Sequence, residues 1–188
     1  MPMGKSTGNC FASMAVSFGR TKPQPERGEK GPHDEPTDHA LGRSHGGFGT
    51  KLHVVCDADG WLIAVLISPG QIHESLRFES LMESIEIRSI RGPAKRRPEK
   101  LAGDKAYSSG YIRGWLKAHR IEAVIPRRAN EGGHDKPFDR ESYRARNIVE
   151  RTIGWLKEFR RIATRYEKLA IHYLGMITLG MILQYLTY

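Results

Sequence analysis

Cysteine is nearly absent: the 188 residues contain only Cys10 and Cys56. Their positions match no metal-ligand spacing, so reduced thiols are expected rather than a disulfide framework or a zinc centre. Acidic charge is the scarcer sign. Twenty-one Asp and Glu stand against 30 Lys and Arg, giving a net charge of +9 and an isoelectric point near 9.7, a balance that suits a polyanionic partner. No His-x3-His pair, Gly-x-Ser-x-Gly elbow or P-loop is present, which leaves zinc-peptidase, serine-hydrolase and P-loop nucleotidase chemistry without a carrier. There is no internal repeat. The first residues have no continuous apolar stretch, so no secretory leader is expected. The eight histidines are scattered, and His45, His53 and His73 read as polar or DNA-facing residues.

The length suits one domain with a single core. Residues 1–40 mix Gly, Pro and charge without periodicity and are expected to be poorly ordered, with Ala12 to Phe18 the only apolar candidate for a strand. The folded core is expected over residues 41–188. Lys51 to Asp57 and Trp61 to Ser68 read as a hairpin around Asp57-Ala58-Asp59-Gly60, with Asp57 and Asp59 serving the turn rather than a metal. Glu74 to Ile85 has helical spacing. A basic, Pro-containing loop runs from Arg88 to Lys100, and Leu101-Ala102-Gly103 delivers Asp104 at a strand end. Ser108 or Ser109 should cap a helix over Tyr111–His119, leaving Asp104 out of that role. Ile121 to Pro126 reads as a strand, followed by Arg127 and Arg128 where ligands gather in open α/β sheets. After a polar loop, 129–142, one helix is expected over 143–161. The run from Ala170 to Tyr188 carries no charge apart from neutral His172 and approaches the length of a membrane span. Its Gln184, Thr and Tyr residues favour a helix packed on the sheet.

The segment Tyr143 to Lys157 carries the most information. Tyr143, Arg146, Glu150 and Lys157 follow one another at spacings of three, four and seven. At about 100° per residue the other three lie within roughly 40° of Glu150. Ile148, Val149, Trp155, Leu156 and Phe159 take the far arc, as an amphipathic helix requires. An ordinary solvated face would show the same Arg146–Glu150 pair. A carboxylate in a stripe with two cations and a phenol also suits work on phosphates: the acid can hold a metal while the cations meet anionic oxygens.

The spacing Tyr-x2-Arg-x3-Glu-x6-Lys resembles the signature of DDE transposases of bacterial insertion sequences. Further segments resemble insertion sequence family five: Leu41-Gly42-Arg43-Ser44-His45-Gly46-Gly47-Phe48-Gly49-Thr50-Lys51-Leu52-His53, Gly103-Asp104-Lys105-Ala106-Tyr107, and Tyr143 through Lys168, ending Arg160-Arg161-Ile162-Ala163-Thr164-Arg165-Tyr166-Glu167-Lys168. Pro69-Gly70-Gln71-Ile72-His73-Glu74 is similar to a Gly-Gln-x-His-Asp element, with Glu in the place of Asp. The resemblance covers about residues 38–188, in the family's order.

It implies an α/β fold, a ribonuclease-H-like mixed sheet flanked by helices, in which two Asp and one Glu hold divalent metal for cutting and joining DNA. The metal is expected to be Mg²⁺, with Mn²⁺ as substitute, and no small-molecule cofactor is implied. Carried over, the second catalytic and metal-holding acid is Asp104 and the third is Glu150. The first belongs on the opening strand in a segment like Asp-Ser-Thr. This chain has no Asp before Asp34, and its counterpart is Phe11-Ala12-Ser13-Met14-Ala15-Val16, with Ala12 in the catalytic place. The opening strand is therefore not evident, and Asp34 or Asp38 is the alternative source of a carboxylate. DNA, as transposon ends and target, is the expected partner, met by Tyr143, Arg146, Lys157, Arg43, Arg127 and Arg128. A homo-oligomer on DNA, in the bacterial cytoplasm at the nucleoid and with no membrane, completes the expectation. Three readings stay open: metal-dependent strand cleavage and transfer, a catalytically dead DNA-binding remnant, or a truncated core with an unpaired sheet edge.

Overall fold

Phe11–Thr21 forms an 11-residue strand, β1, at the centre of the sheet in the computed structural model. The described residues are 39–44, 47–86, 97–132 and 137–187, together with the backbone of 11–21. On one side β1 runs antiparallel to β3 (Gly47–Asp57), from Ala12 opposite Asp57 to Arg20 opposite Gly49. On the other it runs parallel to β5 (Lys100–Ala102), with Ala12 beside Leu101 and Ser13 beside Ala102. β6 (Glu122–Val124) extends the parallel half beyond β5. β4 (Leu62–Pro69) and the short β2 (Gly42–Ser44) both pair with β3, and β7 (Thr164–Arg165) lies along the end of β1. Antiparallel strands on one flank and parallel strands on the other make this the ribonuclease-H-like mixed sheet.

The opening strand is therefore present, and the sheet draws it from the segment 1–40 that composition set apart from the core. Its alternation of small and apolar residues is a weak strand signal by itself. Hydrogen-bonding neighbours on both sides supply what propensity lacks. Because β1 is flanked on both edges, the unpaired edge expected of a truncated core does not arise there. Asp34, Asp38, His45, Cys10 and most of the basic loop 88–100 lie outside the described residues.

Successive residues of β3 point to opposite faces, and both faces are covered. Val55 packs with Phe78, Leu81, Leu101, Tyr107 and Leu116 beneath α1 (Phe78–Glu83) and α2 (Gly110–Ala118). Leu52, Val54 and Cys56 pack with Val149, Leu156 and Tyr173 beneath α4 (Asn147–Glu158), α5 (Arg160–Ala163) and α6 (Ala170–Thr187). The hairpin forms as expected. Asp57 Oδ1 accepts from the backbone N–H of Asp59 and Trp61 at 3.0 and 2.9 Å, and Gly60 takes the positive φ of 92° that closes the turn.

Two helical expectations change, and the C-terminal helix forms as expected. The helix expected over 74–85 starts as a 3-10 turn, Glu74–Arg77, before α1. The helix expected over 143–161 is broken into α3 (Arg140–Ala145), α4 and α5, with junctions at Arg146 and Phe159. Asp139 starts it early by accepting from Ser142 N at 2.9 Å. α6 is long and apolar enough to cross a membrane by length and composition. It lays Tyr173, Ile177, Gly180 and Gln184 against the sheet, and Gln184 bonds both Leu62 N and Gly60 O of the hairpin.

The sequence segments Leu41–His53 and Arg160–Lys168 meet at Arg165, which is 2% exposed. Its guanidinium donates to Thr50 Oγ1 at 2.5 Å and to the carbonyls of Glu167 and Lys168, both at 2.9 Å, while Tyr173 lies 5.3 Å away under its plane. Thr50 Oγ1 passes the network on to Ala40 O at 2.7 Å. Nearby, Gly70 N donates to Gly49 O, and a Cβ at Gly70 would stand 2.7 Å from Gly42 O, so only glycine allows this approach.

Arg165→Ala leaves buried acceptors without donors, and we expect it to lower the unfolding free energy by about 3 kcal/mol or more in urea titration. Arg161, whose contact with Glu167 is largely exposed, should cost under about 1 kcal/mol when changed to Ala.

Candidate functional site

Asp104 follows β5 by one residue, Gly103, whose N–H donates to Val124 O of β6. Its Oδ1 accepts from Ala106 N at 2.9 Å and starts the 3-10 turn Lys105–Tyr107, so Asp104 caps that short turn and not α2. Ser109 separately caps α2 through Ile112 N at 3.1 Å, as expected. The turn stands on Tyr107, which is buried, and Tyr107 N closes it by donating to Asp104 O. Burial raises the Tyr107 phenol well above its ordinary range, and the Asp104 and Glu74 carboxylates act in the same direction.

Glu150 lies in the first turn of α4, on the side away from buried Val149 and Ile153. Arg146 Nη2 donates to Glu150 Oε1 at 2.6 Å, and the Arg146 guanidinium lies 5.4 Å from the centre of the Tyr143 ring. The structure thus brings Tyr143, Arg146 and Glu150 together although the helix bends at Arg146. Lys157 follows in the last turn of the same helix. Arg43 is exposed on β2. Arg127 donates to Gly132 O at 2.6 Å, and Arg128 donates to the carbonyls of Lys105 and Ala106 at 3.0 and 3.1 Å.

Asp104 and Glu150 stand on elements that meet β1 separately: β5, which leads to Asp104, is its parallel neighbour, while α4 packs across β1 and β3. No hydrogen bond joins them among the described residues. The register of β1 puts Ala12 beside Leu101, and the residues that follow toward Asp104 are Ser13, Met14 and Ala15, none of them acidic. Among the described residues no three His, Cys, Asp or Glu side chains gather as a metal-ligand group. Two carboxylates are hard oxygen donors of the kind Mg²⁺ accepts while keeping several waters, so the donor chemistry fits one such ion.

Two features escaped the sequence reading. Lys51, nearly buried on β3, donates from Nζ to Glu74 Oε1 and to Ile72 O, each at 2.7 Å. The Glu in the Gly-Gln-Ile-His-Glu segment is thus the partner of a core lysine. A charged residue on the inward face of an apolar strand was the available signal. His53, one step along the same face, is polar but buried rather than DNA-facing, with Nε2 2.7 Å from Ser68 Oγ. Burial pushes its imidazole down to about 4.

Residues 19–184 match the family described as transposase DDE domain. The chain is similar to a protein described as a transposase for insertion sequence element IS402 of Burkholderia cepacia, 32% identical over 77% of this chain and 64% of that one. It therefore spans less than two thirds of that relative's length. It is also similar to one described as a transposase for insertion sequence element IS6501 of Brucella ovis, 27% identical over 70% of this chain and 93% of that one. Looser likeness extends to the piggyBac transposase synaptic complex with hairpin DNA, at a TM-score of 0.47 and 12% identity over 91% of this chain and 45% of that one. The Mos1 transposase paired-end complex follows at a TM-score of 0.36 and 14% identity, over 79% and 55%.

His53 gives the fold a pH dependence of definite sign. Its folded pKa of about 4 lies below the 6.5 of an ordinary histidine, so an unfolded chain takes up the proton first as pH falls. Its contribution is complete above about pH 6.5 and is lost on descending to about pH 4, roughly 3 kcal/mol in all. Urea midpoints measured across that window should fall with pH in the unsubstituted chain, and less steeply in His53→Gln.

Proposed function

The chain belongs to the DDE transposase family, and from that premise we propose that it is a DNA-binding catalytic core in which Asp104 and Glu150 are the metal-holding acids. The observation that carries the reading is the convergence of two elements on β1: β5, which leads to Asp104, and α4, which bears Glu150. The family match over residues 19–184 spans both acids. The partner is DNA, as transposon ends and target, and the reaction class is phosphodiester cleavage with strand transfer.

Mg²⁺, or Mn²⁺ in its place, would supply Lewis-acid polarisation of the scissile phosphate and a more acidic attacking water or hydroxyl. The chain's own residues do the rest. Asp104 keeps Oδ1 on Ala106 N and has Oδ2 for an ion. Glu150 shares Oε1 with Arg146 and has Oε2 to offer. A phosphate arriving at α4 competes with Glu150 for the Arg146 fork, so DNA binding and release of the carboxylate are linked. Lys157 adds a point charge, and Tyr143 a ring that can stack on a base or a hydroxyl that can donate to a phosphate. Arg43 and Arg127 extend the cationic surface, each phosphate contact releasing a counterion.

A second reading has its own observation. The β1 run beside β5 offers Ala12, Ser13, Met14 and Ala15 where a third acid would sit, which favours a core that holds DNA and cleaves weakly or not at all. Plasmid nicking in Mn²⁺ and in Mg²⁺ separates the two. We expect Mn²⁺-dependent nicking that Asp104→Asn and Glu150→Gln each abolish, and salt-sensitive DNA binding whose slope in log salt drops by about 1 in Lys157→Ala. Binding without nicking would leave the inactive remnant. Salt-insensitive binding would remove DNA as the partner.

A further inference from the structure

We propose that Arg128 is a positioning residue for Asp104, acting through the 3-10 turn rather than on DNA phosphate; this rests on the reading that Asp104 holds metal. The turn after β5 is fixed from three directions. From within, Asp104 Oδ1 accepts from Ala106 N at 2.9 Å, and Tyr107 N donates to Asp104 O at 3.2 Å. From below, the Tyr107 side chain is buried. From outside, the Arg128 fork spans two successive carbonyls, with Nε on Lys105 O at 3.0 Å and Nη2 on Ala106 O at 3.1 Å.

The loop that carries Arg128 is itself closed and pinned. Glu131 N donates to Arg128 O at 2.9 Å, and Ser108 Oγ donates to Glu131 Oε2 at 2.6 Å. Arg113 Nη2 in turn donates to Ser108 Oγ at 2.8 Å and to Ile125 O at 2.9 Å. Both ends of the 128–131 turn are thus tied to residues 105–108. The consequence falls on Asp104. Its carboxylate orientation depends on the Ala106 N–H, and the Arg128 fork holds the same peptide unit on its carbonyl side. A planar two-pronged donor suits two adjacent carbonyls, and a lysine cannot span them.

The proposal predicts a sign that electrostatics alone reverses. Removing a cation near an ion site should tighten divalent binding if charge were the only effect. Loss of positioning should weaken it, by about tenfold or more as for other residues that orient a metal's ligands. The test uses the full chain, Mn²⁺ binding followed by electron paramagnetic resonance, and hydrogen exchange at the Ala106 amide. In Arg128→Ala we expect weaker Mn²⁺ binding and faster Ala106 exchange, with an unchanged melting temperature. Arg128→Lys should fall between, and Arg161→Ala, on the far segment, should match the unsubstituted chain in both readouts. Unchanged or tighter Mn²⁺ binding in Arg128→Ala, or a loss of DNA affinity with Mn²⁺ affinity intact, overturns the proposal. If the unsubstituted chain shows no Mn²⁺ binding sensitive to Asp104→Asn, the metal reading fails instead. The Ala106 amide then judges the brace by itself, and equal exchange with and without Arg128 overturns it.

Discussion

The molecule is organised by the pairing of a single strand. β1 satisfies its backbone on one edge against antiparallel β3 and on the other against parallel β5. Buried backbone groups must find partners, and here they find them in two directions that meet only at this strand. The hairpin β3–β4 and its two apolar faces form one half, and β5, β6 and the turns that follow them form the other. Asp104 is placed by β5, which is seated on β1. Glu150 is placed by α4, which packs across β1 and β3 with Val149 and Leu156 inward and leaves Glu150 exposed.

Much of this was legible in the residues. The hairpin, the capped helix after Ser109, the strand ending at Asp104 and the amphipathic stripe on α4 were all written as local patterns, and local patterns survive folding. β1 was only partly legible: Ala12 to Phe18 was the one apolar candidate, but Ala, Ser and Met have no strong strand preference and its partners on β3 lie 29 or more residues away in sequence. His53 and Lys51 were ambiguous for a related reason. A polar side chain on an apolar strand can face solvent or a buried partner, and those partners, Ser68 and Glu74, come from later segments. The bend at Arg146 was invisible because Arg144, Ala145 and Arg146 are all good helix formers.

Several family-like segments turn out to serve the fold rather than the chemistry. Arg165 ties the Arg160–Lys168 segment to Thr50 and Ala40, while Gly70 and Gly42 let two loops touch backbone to backbone. Lys51 and Glu74 form a nearly buried pair whose rupture would strand a charge. These residues explain why so much of the sheet is specified far from Asp104 and Glu150. A site made of a few carboxylates on separate elements is only as precise as the braces holding those elements.

On the proposed reading, the strand that unites the halves is also where the set of metal-holding acids lacks a member. Ala12 stands in the place that the family resemblance gives to the first Asp, on the strand next to the one leading to Asp104. The most direct measurement is plasmid nicking by Ala12→Asp beside the unsubstituted chain, in Mg²⁺ and with DNA affinity measured in parallel. If two acids are in place and one is absent, the substitution should raise Mg²⁺-dependent nicking by about tenfold or more, and Asp104→Asn in the same chain should remove the gain. No gain, with DNA binding and folding intact, would contradict the assignment of β1 as the strand of the first acid.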